Sequence, residues 1–529
     1  MGETDMHKVG KYILSCMVLG LTTVWTGCSN NVEDLGYTVK SDSIYISLQL
    51  NTPSTTRTDP KGGETGDGTE AGINNENKIH SLALFLYRDD AANSIESTVN
   101  PALTRISING TNINQTSETS FTTFAVPASS ITLNAGYHVV CIANALNTDI
   151  DNIATLSDLQ NYTAKQAWTE ATDIKDYDNF VMTSRYKTAS DDLPFTLSSA
   201  NKKNNPLLIN ITLERLASRI DIIPMTTTNG ATYNSAKYYE YKVGTTGDVF
   251  RLTDIKAINC MKAGEYWLKH IAKAESDNSI STGYNLIGTE LPESGIETNY
   301  VLDPWTRNKT AAATTLDVGG TATAVSDMYR NYISSTAVNS WATRDAVPQC
   351  TSDAHYILDY TMENTMPYDC QTTKYSTGIL LKGVYIPAVW YTLSGSTLTS
   401  GTPTAGTTFY RYNGKCYATA SAVAFAVNTD EGTSLNDVTV LHHAGVQTFS
   451  DGTCYYEYWI RHSNNNNELT SAIMEFATVR NNIYRITINS ITAPGTPTPD
   501  PNTNRNDEGL MAIVHVIPWS VYLHSTIYM

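Results

Sequence analysis

The sequence is short of charge. Asp, Glu, Lys and Arg make up 16% of its 529 residues, and bases are the scarcer half: 35 Lys and Arg against 52 Asp and Glu, a formal net charge of -17. An acidic surface speaks against nucleic acid as a partner and against electrostatic docking on anionic lipid. Phe is scarce as well, with 10 residues against 32 Tyr. Long apolar runs are absent, so no segment reads as a membrane-spanning helix. There is no C-x-x-C, and Cys141, Cys260, Cys350, Cys370, Cys416 and Cys454 lie far apart, which removes zinc and thioredoxin chemistry. There is no G-x-S-x-G, no P-loop and no G-x-G-x-x-G. Asp500-x-Asn502-x-Asn504 resembles a calcium loop only faintly, because Arg505 stands where the turn Gly belongs. His442-His443 has no H-E-x-x-H context. The residues call for no cofactor, no metal and no catalytic constellation; the chain does not read as an enzyme.

What is abundant is Thr, Ser, Asn and Tyr, the make-up of an exported β protein. Export is written at the start. Lys8 and Lys11 precede an apolar run from Tyr12 to Leu21, and Thr26-Gly27 leads into Cys28. This is secretory-signal anatomy with a lipobox-like end. Residues 1–27 read as a lipoprotein signal peptide, with Cys28 as the lipidated residue; the plainer alternative is an ordinary signal cut nearby. Ser29-Asn30-Asn31 places no Asp directly after Cys28, which points to the outer membrane or cell surface.

The body reads as all-β, with many short strands between turn signals. Ser43–Leu50 alternates cleanly, with Ile44, Ile46, Leu48 and Leu50 on one face. Further strands are expected at Lys78–Tyr87, Leu103–Ile108, Ser120–Val126, Gly136–Ala145, Phe180–Ser184, Leu193–Leu197 and Leu207–Leu213. Ser157–Trp168 is the best short helix, capped by Ser157. A boundary falls near Leu216-Ala217-Ser218. A second set of strands follows at Arg219–Ile223, Val249–Ile255, Tyr300–Leu302, Ser376–Val389, Thr408–Tyr412, Lys415–Thr419, Cys454–His462 and Asn482–Ser490. The stretch from Gly244 to Asp369 carries long polar insertions. The end is the oddest part. After a polar linker (Pro494 to Glu508), Leu510 to Met529 is apolar, β-branched and aromatic. Chain ends are usually polar and frayed, so such a tail needs a sheet to join.

Several blocks in order resemble the fimbrillins, the subunits of type V pili in Bacteroides-like bacteria, and among them the shaft subunit of the minor (short) fimbria. The strongest is Phe476-Ala-Thr-Val-Arg-Asn-Asn-Ile-Tyr-Arg-Ile-Thr-Ile488. Cys454–Ile460, Tyr375–Trp390, Glu214–Ile220, Ile517-Pro518-Trp519 and the first strand followed by Arg57 add to it. The resemblance implies two β-sandwich (transthyretin-like) domains, 58–216 and 217–493. It implies a propeptide with a removable first strand at 28–57, and a linker with a donor-strand tail at 494–529. A trypsin-like protease would cut between Arg57 and Thr58, with Lys61 a second possible cut. The first strand then leaves, and the tail of another subunit fills the groove.

Burying Ile44, Ile46, Leu48 and Leu50 is worth about 2 kcal/mol each, so the vacated groove would accept a replacement strand by β-augmentation. The donor strand would carry Leu510, Ala512, Val514, Val516 and Trp519, with Leu510–Ile517 as the inserting part and Pro518 ending one pairing segment before Trp519 starts the next. One groove and one tail per subunit make a head-to-tail contact that grows into a filament. The expected function is thus a structural subunit of a surface fimbria, supporting adhesion and biofilm formation. Its partners would be copies of itself, other fimbrial subunits, the protease, and host or bacterial surface receptors. The alternatives are a monomeric surface lipoprotein that binds glycans and keeps its tail in its own sheet, and an accessory or tip subunit.

Overall fold

The computed structural model describes residues 43–51, 70–89, 102–109, 120–184, 194–236, 238–262, 264–272, 284–286, 300–318, 321–333, 349, 353–367, 370–371, 374–462, 474–499 and 509–520. The chain is all-β, built from several sheets. Among the described residues no helix is long and apolar enough to cross a membrane.

The first large sheet runs in the order Thr104–Asn109, Ser81–Arg88, Gly136–Ala143, Met182–Ser184, Leu207–Arg215, Ser43–Asn51, Ser120–Pro127. Expected strands and observed ones agree within a few residues. The helix is shorter than expected: Leu156–Asn161, capped by Thr155, whose side chain accepts from the Asp158 N–H. Ser157 is therefore not the cap. Thr155 and Asp158 form a reciprocal capping box that starts the helix two residues earlier.

The chain changes sheet at Leu216-Ala217. Ser218–Ile223 lies parallel to Asn482–Ile491 and antiparallel to Tyr356–Thr361. The second large sheet continues through Tyr239–Val243, Asp248–Ile258, Gly378–Ile386 and Thr453–Trp459. Two links cross the expected boundary. Glu70–Ala71 pairs with the tail, and Thr163–Ala164 pairs with Glu265–Tyr266.

Between Ile386 and Thr453 the chain adds a smaller five-stranded sheet, in the order Thr397–Gly401, Trp390–Ser394, Lys415–Tyr417, Phe409–Tyr412, Gln447–Phe449. Helix Ala420–Glu431 packs on it through Val423 and Val427. Thr419 caps the helix, and Gly432 ends it at φ +64°. No helix is expected here from the sequence. The buried residues of this one are mostly Ala, whose small side chains give no strong apolar stripe. The cysteines within the described residues (Cys141, Cys260, Cys370, Cys416 and Cys454) are all buried, and no disulfide joins them. Burial pushes Cys141, Cys416 and Cys454 up to about 12.

The Arg-Asn-Asn-Ile-Tyr block sits where the two sheets meet. Arg480 is fully buried and forks onto Glu363 at 3.0 and 2.8 Å, with Glu265 at 3.1 Å. It also donates to the Trp267 and Tyr266 carbonyls. Asn481 holds φ +57°, where Asn is tolerated better than most residues. It donates its N–H to the Ala217 carbonyl and accepts from the Arg215 N–H. Tyr484 accepts from the Val479 N–H through its hydroxyl, which also meets His462 at 2.8 Å. Substituting Arg480→Ala would strand two buried carboxylates. It should lower stability by about 3–5 kcal/mol, read as an earlier urea midpoint.

Candidate functional site

The first strand, Ser43–Asn51, is one strand in from the edge of its sheet. It runs parallel to Leu207–Arg215, with Ile46 opposite Leu207, and antiparallel to Ser120–Pro127, with Ile46 opposite Phe124. Ile44, Ile46, Leu48 and Leu50 are each at most 2% exposed. The opposite face is covered more than the alternation suggests, since Ser43, Tyr45 and Ser47 are also buried. The Thr123 hydroxyl donates to Ser47 Oγ at 3.2 Å. Taking this strand away would leave two rows of unpaired N–H and C=O groups and an apolar slot.

The tail does find a sheet, and it is the chain's own. Leu510–Ser520 is antiparallel to Asn482–Ile491, with Leu510 opposite Ile491, Val516 opposite Tyr484 and Pro518 opposite Asn482. Leu510, Val514 and Val516 enter the second core, and Ala512 packs against it. Ile517 and Trp519 turn to the opposite side, into the core of the first sheet. The donor-strand residues named from the sequence thus divide between two cores, with Trp519 on the side opposite Leu510, Val514 and Val516. The strand continues through Pro518, so the two-residue period holds and residue 519 faces away from residue 516. The partner does change there: Trp519 pairs with Glu70, and its N–H donates to the Asn481 carbonyl.

Trp519 is wholly buried. The Arg215 guanidinium lies 4.3 Å from its ring centroid and that of Arg219 5.5 Å. Tyr360 stacks on it at 6.0 Å and Phe180 meets it edge-on. Glu76, also buried, accepts from the Tyr360 hydroxyl at 2.5 Å and pairs with Arg219 at 3.2 Å. Burial pushes the Glu76 carboxyl above its ordinary value, against the pull of Arg219 and Arg215. Burial also brings Arg215 down to about 9. For Arg219 burial works the same way, but Asp221 and Glu76 hold it above its ordinary value. In the sequence Arg215 and Arg219 stand only within the Glu214–Ile220 motif, and nothing local marks Glu76 or Tyr360. Side chains this far apart in sequence carry no local signal of their meeting.

Glu70, Asp221 and His355 bring three possible ligand atoms within 4.8 Å of one another. Both carboxylates are already bound by Arg219 and Arg485, at 2.7–2.9 Å, so a cation entering there would meet two guanidiniums. A cleft of about 260 Å³ is lined by Ser81, Asn144, Leu146, Gln166, Trp168 and Asn179. The Trp168 ring is buried against Phe180 and Tyr360, so it presents no open face for a sugar. Of the His442-His443 pair, His443 faces Glu431 at 3.2 Å. Cys28, Arg57, Thr58, Lys61 and Asp500–Asn506 lie outside the described residues.

Both strands that define the site fall inside recognised family regions. Residues 44–249 match the model of the major fimbrial subunit protein (FimA). Residues 447–524 match that of the major fimbrial subunit protein type IV, fimbrillin, C-terminal. The chain belongs to the fimbrillin family. This fimbrillin is accordingly a fimbrial subunit, placed at the cell surface and assembling with other subunits. No curated protein matches it. Among solved structures it is similar to a fimbrilin (FimA) from Porphyromonas gingivalis W83, at 14% identity over 90% of this chain and 98% of that one, with a TM-score of 0.37. It is also similar to the C-terminally truncated tip fimbrial protein Mfa3 of P. gingivalis, at 11% identity over 90% and 100%, TM-score 0.34. A fimbrial assembly protein from Parabacteroides distasonis is 10% identical over 84% and 91%, TM-score 0.31.

The burial of the first strand has a direct consequence. Leu48→Ala should destabilise the uncut chain by about 2–5 kcal/mol. Ser47→Ala, which removes one hydroxyl contact, should cost about 1 kcal/mol. Denaturant titration of the two variants side by side checks both values.

Proposed function

We propose that this fimbrillin is a structural subunit of a surface fimbria that polymerises head-to-tail by protease-triggered strand exchange. The carrying observation is the position of the first strand. Its apolar stripe completes a sheet between two neighbours. Downstream it joins the rest of the fold only through residues 52–69. A single cut there, between Arg57 and Thr58 or after Lys61, leaves it held by non-covalent contacts alone. The precursor is exported as a lipoprotein on Cys28 and reaches the outer membrane; removal of 28–57 detaches the lipid and opens the groove together. The mature chain comprises an N-terminal β-sandwich at 58–216, a C-terminal one at 217–493 and the tail at 494–529. A trypsin-like enzyme is the maturation protease. The assembled fimbria serves adhesion and biofilm formation, and a chain with both a removable strand and a donor tail suits the shaft.

The donor matches the groove in spacing. Leu510, Ala512, Val514 and Val516 repeat the two-residue interval of Ile44, Ile46, Leu48 and Leu50. To donate, the tail must leave Asn482–Ile491. The burial it loses there, about 2 kcal/mol per large side chain, is offset by similar burial in the new groove. Its place in the chain's own sheet favours a second version, in which Leu510–Ser520 stays and only the chain beyond it is donated. Val521, Leu523, Ile527 and Met529 fall on the same two-residue interval.

Trypsin treatment of the purified precursor should give filaments and SDS-resistant ladders. Arg57→Ala combined with Lys61→Ala should abolish them, and so should deletion of Leu510–Met529. Ladders that persist without the tail would sink strand donation. A cysteine pair at Ile488 and Ala512, which face each other, separates the two versions. Polymerisation blocked until reductant is added assigns donation to Leu510–Ser520; polymerisation unaffected by the cross-link assigns it to Val521–Met529.

A further inference from the structure

The socket that holds Trp519 is closed on one side by the segment that follows the proposed cut. Glu70 and Ala71 add a short parallel strand alongside Trp519 and Ser520. Glu70 reaches Arg219 at 2.9 Å and Arg485 at 2.7 Å, one from each strand flanking the junction. Three residues on, the chain turns tightly at Ile73, whose N–H donates to Glu76 Oε2. The Glu76 carbonyl then accepts from Arg215 Nε at 3.0 Å, and Asn77 Oδ1 accepts from another guanidinium nitrogen of Arg215. Arg215 also reaches the Trp519 carbonyl at 3.4 Å. Gly72 lies against the indole itself: a Cβ there would sit 2.7 Å from Trp519 Nε1 and 2.6 Å from Glu76 Oε2.

These contacts are unusual for a simple sheet edge. Two guanidiniums and two aromatic rings converge on one side chain, and the buried Glu76 carboxylate ties Arg219 to Tyr360 beside it. Cation–π contacts gain strength when the cation is desolvated, and both Arg215 and Arg219 are buried. The indole N–H meets no acceptor among the described residues. The socket thus holds the ring by its face and by charge.

We infer that Glu70–Asn77 is a clasp that retains the tail in its own sheet, with Trp519 as the element it grips. The clasp lies on the mature side of both Arg57 and Lys61, so it survives either cut. Removal of the first strand therefore opens the groove without unsheathing the tail. A matured subunit keeps its donor strand covered until an acceptor draws it out, and withdrawal of Trp519 is a barrier the exchange must cross. The consequence for assembly rests on the strand-exchange reading; the geometry of the clasp does not.

Hydrogen–deuterium exchange on the uncut full chain carrying Arg57→Ala and Lys61→Ala tests this without any polymer forming. In that background, Gly72→Ala and Trp519→Ala should each speed amide exchange in residues 510–520 about tenfold or more. Exchange in Gly378–Ile386, deep in the same sheet, should stay unchanged. Unchanged exchange in 510–520 for both variants overturns the clasp. Faster exchange throughout the chain also overturns it, because Trp519 would then be a general core residue. Should Trp519→Ala fail to fold, Gly72→Ala decides alone, since that position is partly exposed. The same substitutions in the cleavable chain, followed by trypsin, should shorten the lag before ladders appear. A loosened tail with no change in ladder formation keeps the clasp and counts against donation by Leu510–Ser520.

Discussion

Strand Asn482–Ile491 depends on company along both sides. Ser218–Ile223 and the end of Tyr239–Val243 pair with one side, and the tail pairs with the other from Leu510 to Pro518. Without the tail, a long row of backbone groups in the middle of the molecule would have no partner, and unpaired buried groups are costly. The first strand does the same for the other large sheet, between Leu207–Arg215 and Ser120–Pro127. Each end of the described chain is thus a strand that closes a gap in a sheet. Such a fold is complete as a monomer and becomes incomplete as soon as either strand leaves. An open groove and a free strand of matching period are complementary by construction.

The junction between the two sheets is fixed by buried guanidiniums rather than by apolar packing alone. Arg215, Arg219 and Arg480 are all within 1% of full burial, and each finds carboxylates, carbonyls or aromatic faces. A buried Arg that lost its partners would be strongly unfavourable, so these residues specify one geometry at the point where the chain passes from one sheet to the other. Asn481, in the left-handed region, lets the backbone turn into that junction while satisfying Ala217 and Arg215. The Arg-Asn-Asn-Ile-Tyr block is therefore a structural joint.

Much of this was legible along the chain. The alternation of Ile44, Ile46, Leu48 and Leu50 announced a half-buried strand because neighbouring side chains on a strand point to opposite faces. The chain passes from one large sheet to the other at Leu216-Ala217. Two things were not legible. Helix Ala420–Glu431 buries Ala and Val on a short stretch and leaves little periodic contrast. The second sheet also recruits Glu70–Ala71 across the expected boundary, a parallel pairing between residues about as far apart as the chain allows.

The sequence by itself determined the strand-rich class, the two apolar stripes at opposite ends and the membership of a fimbrial family, because these depend on local periodicity and ordered motifs. Only the tertiary structure decided where the tail lies. Leu510–Val516 could have served any open edge, since a two-residue alternation names a face and not a partner. The choice of Asn482–Ile491 came from the socket of Arg215, Arg219, Glu76 and Tyr360 around Trp519, residues brought together only by folding. That same folding set Trp519 on the face opposite Val516, because the strand keeps its period through Pro518.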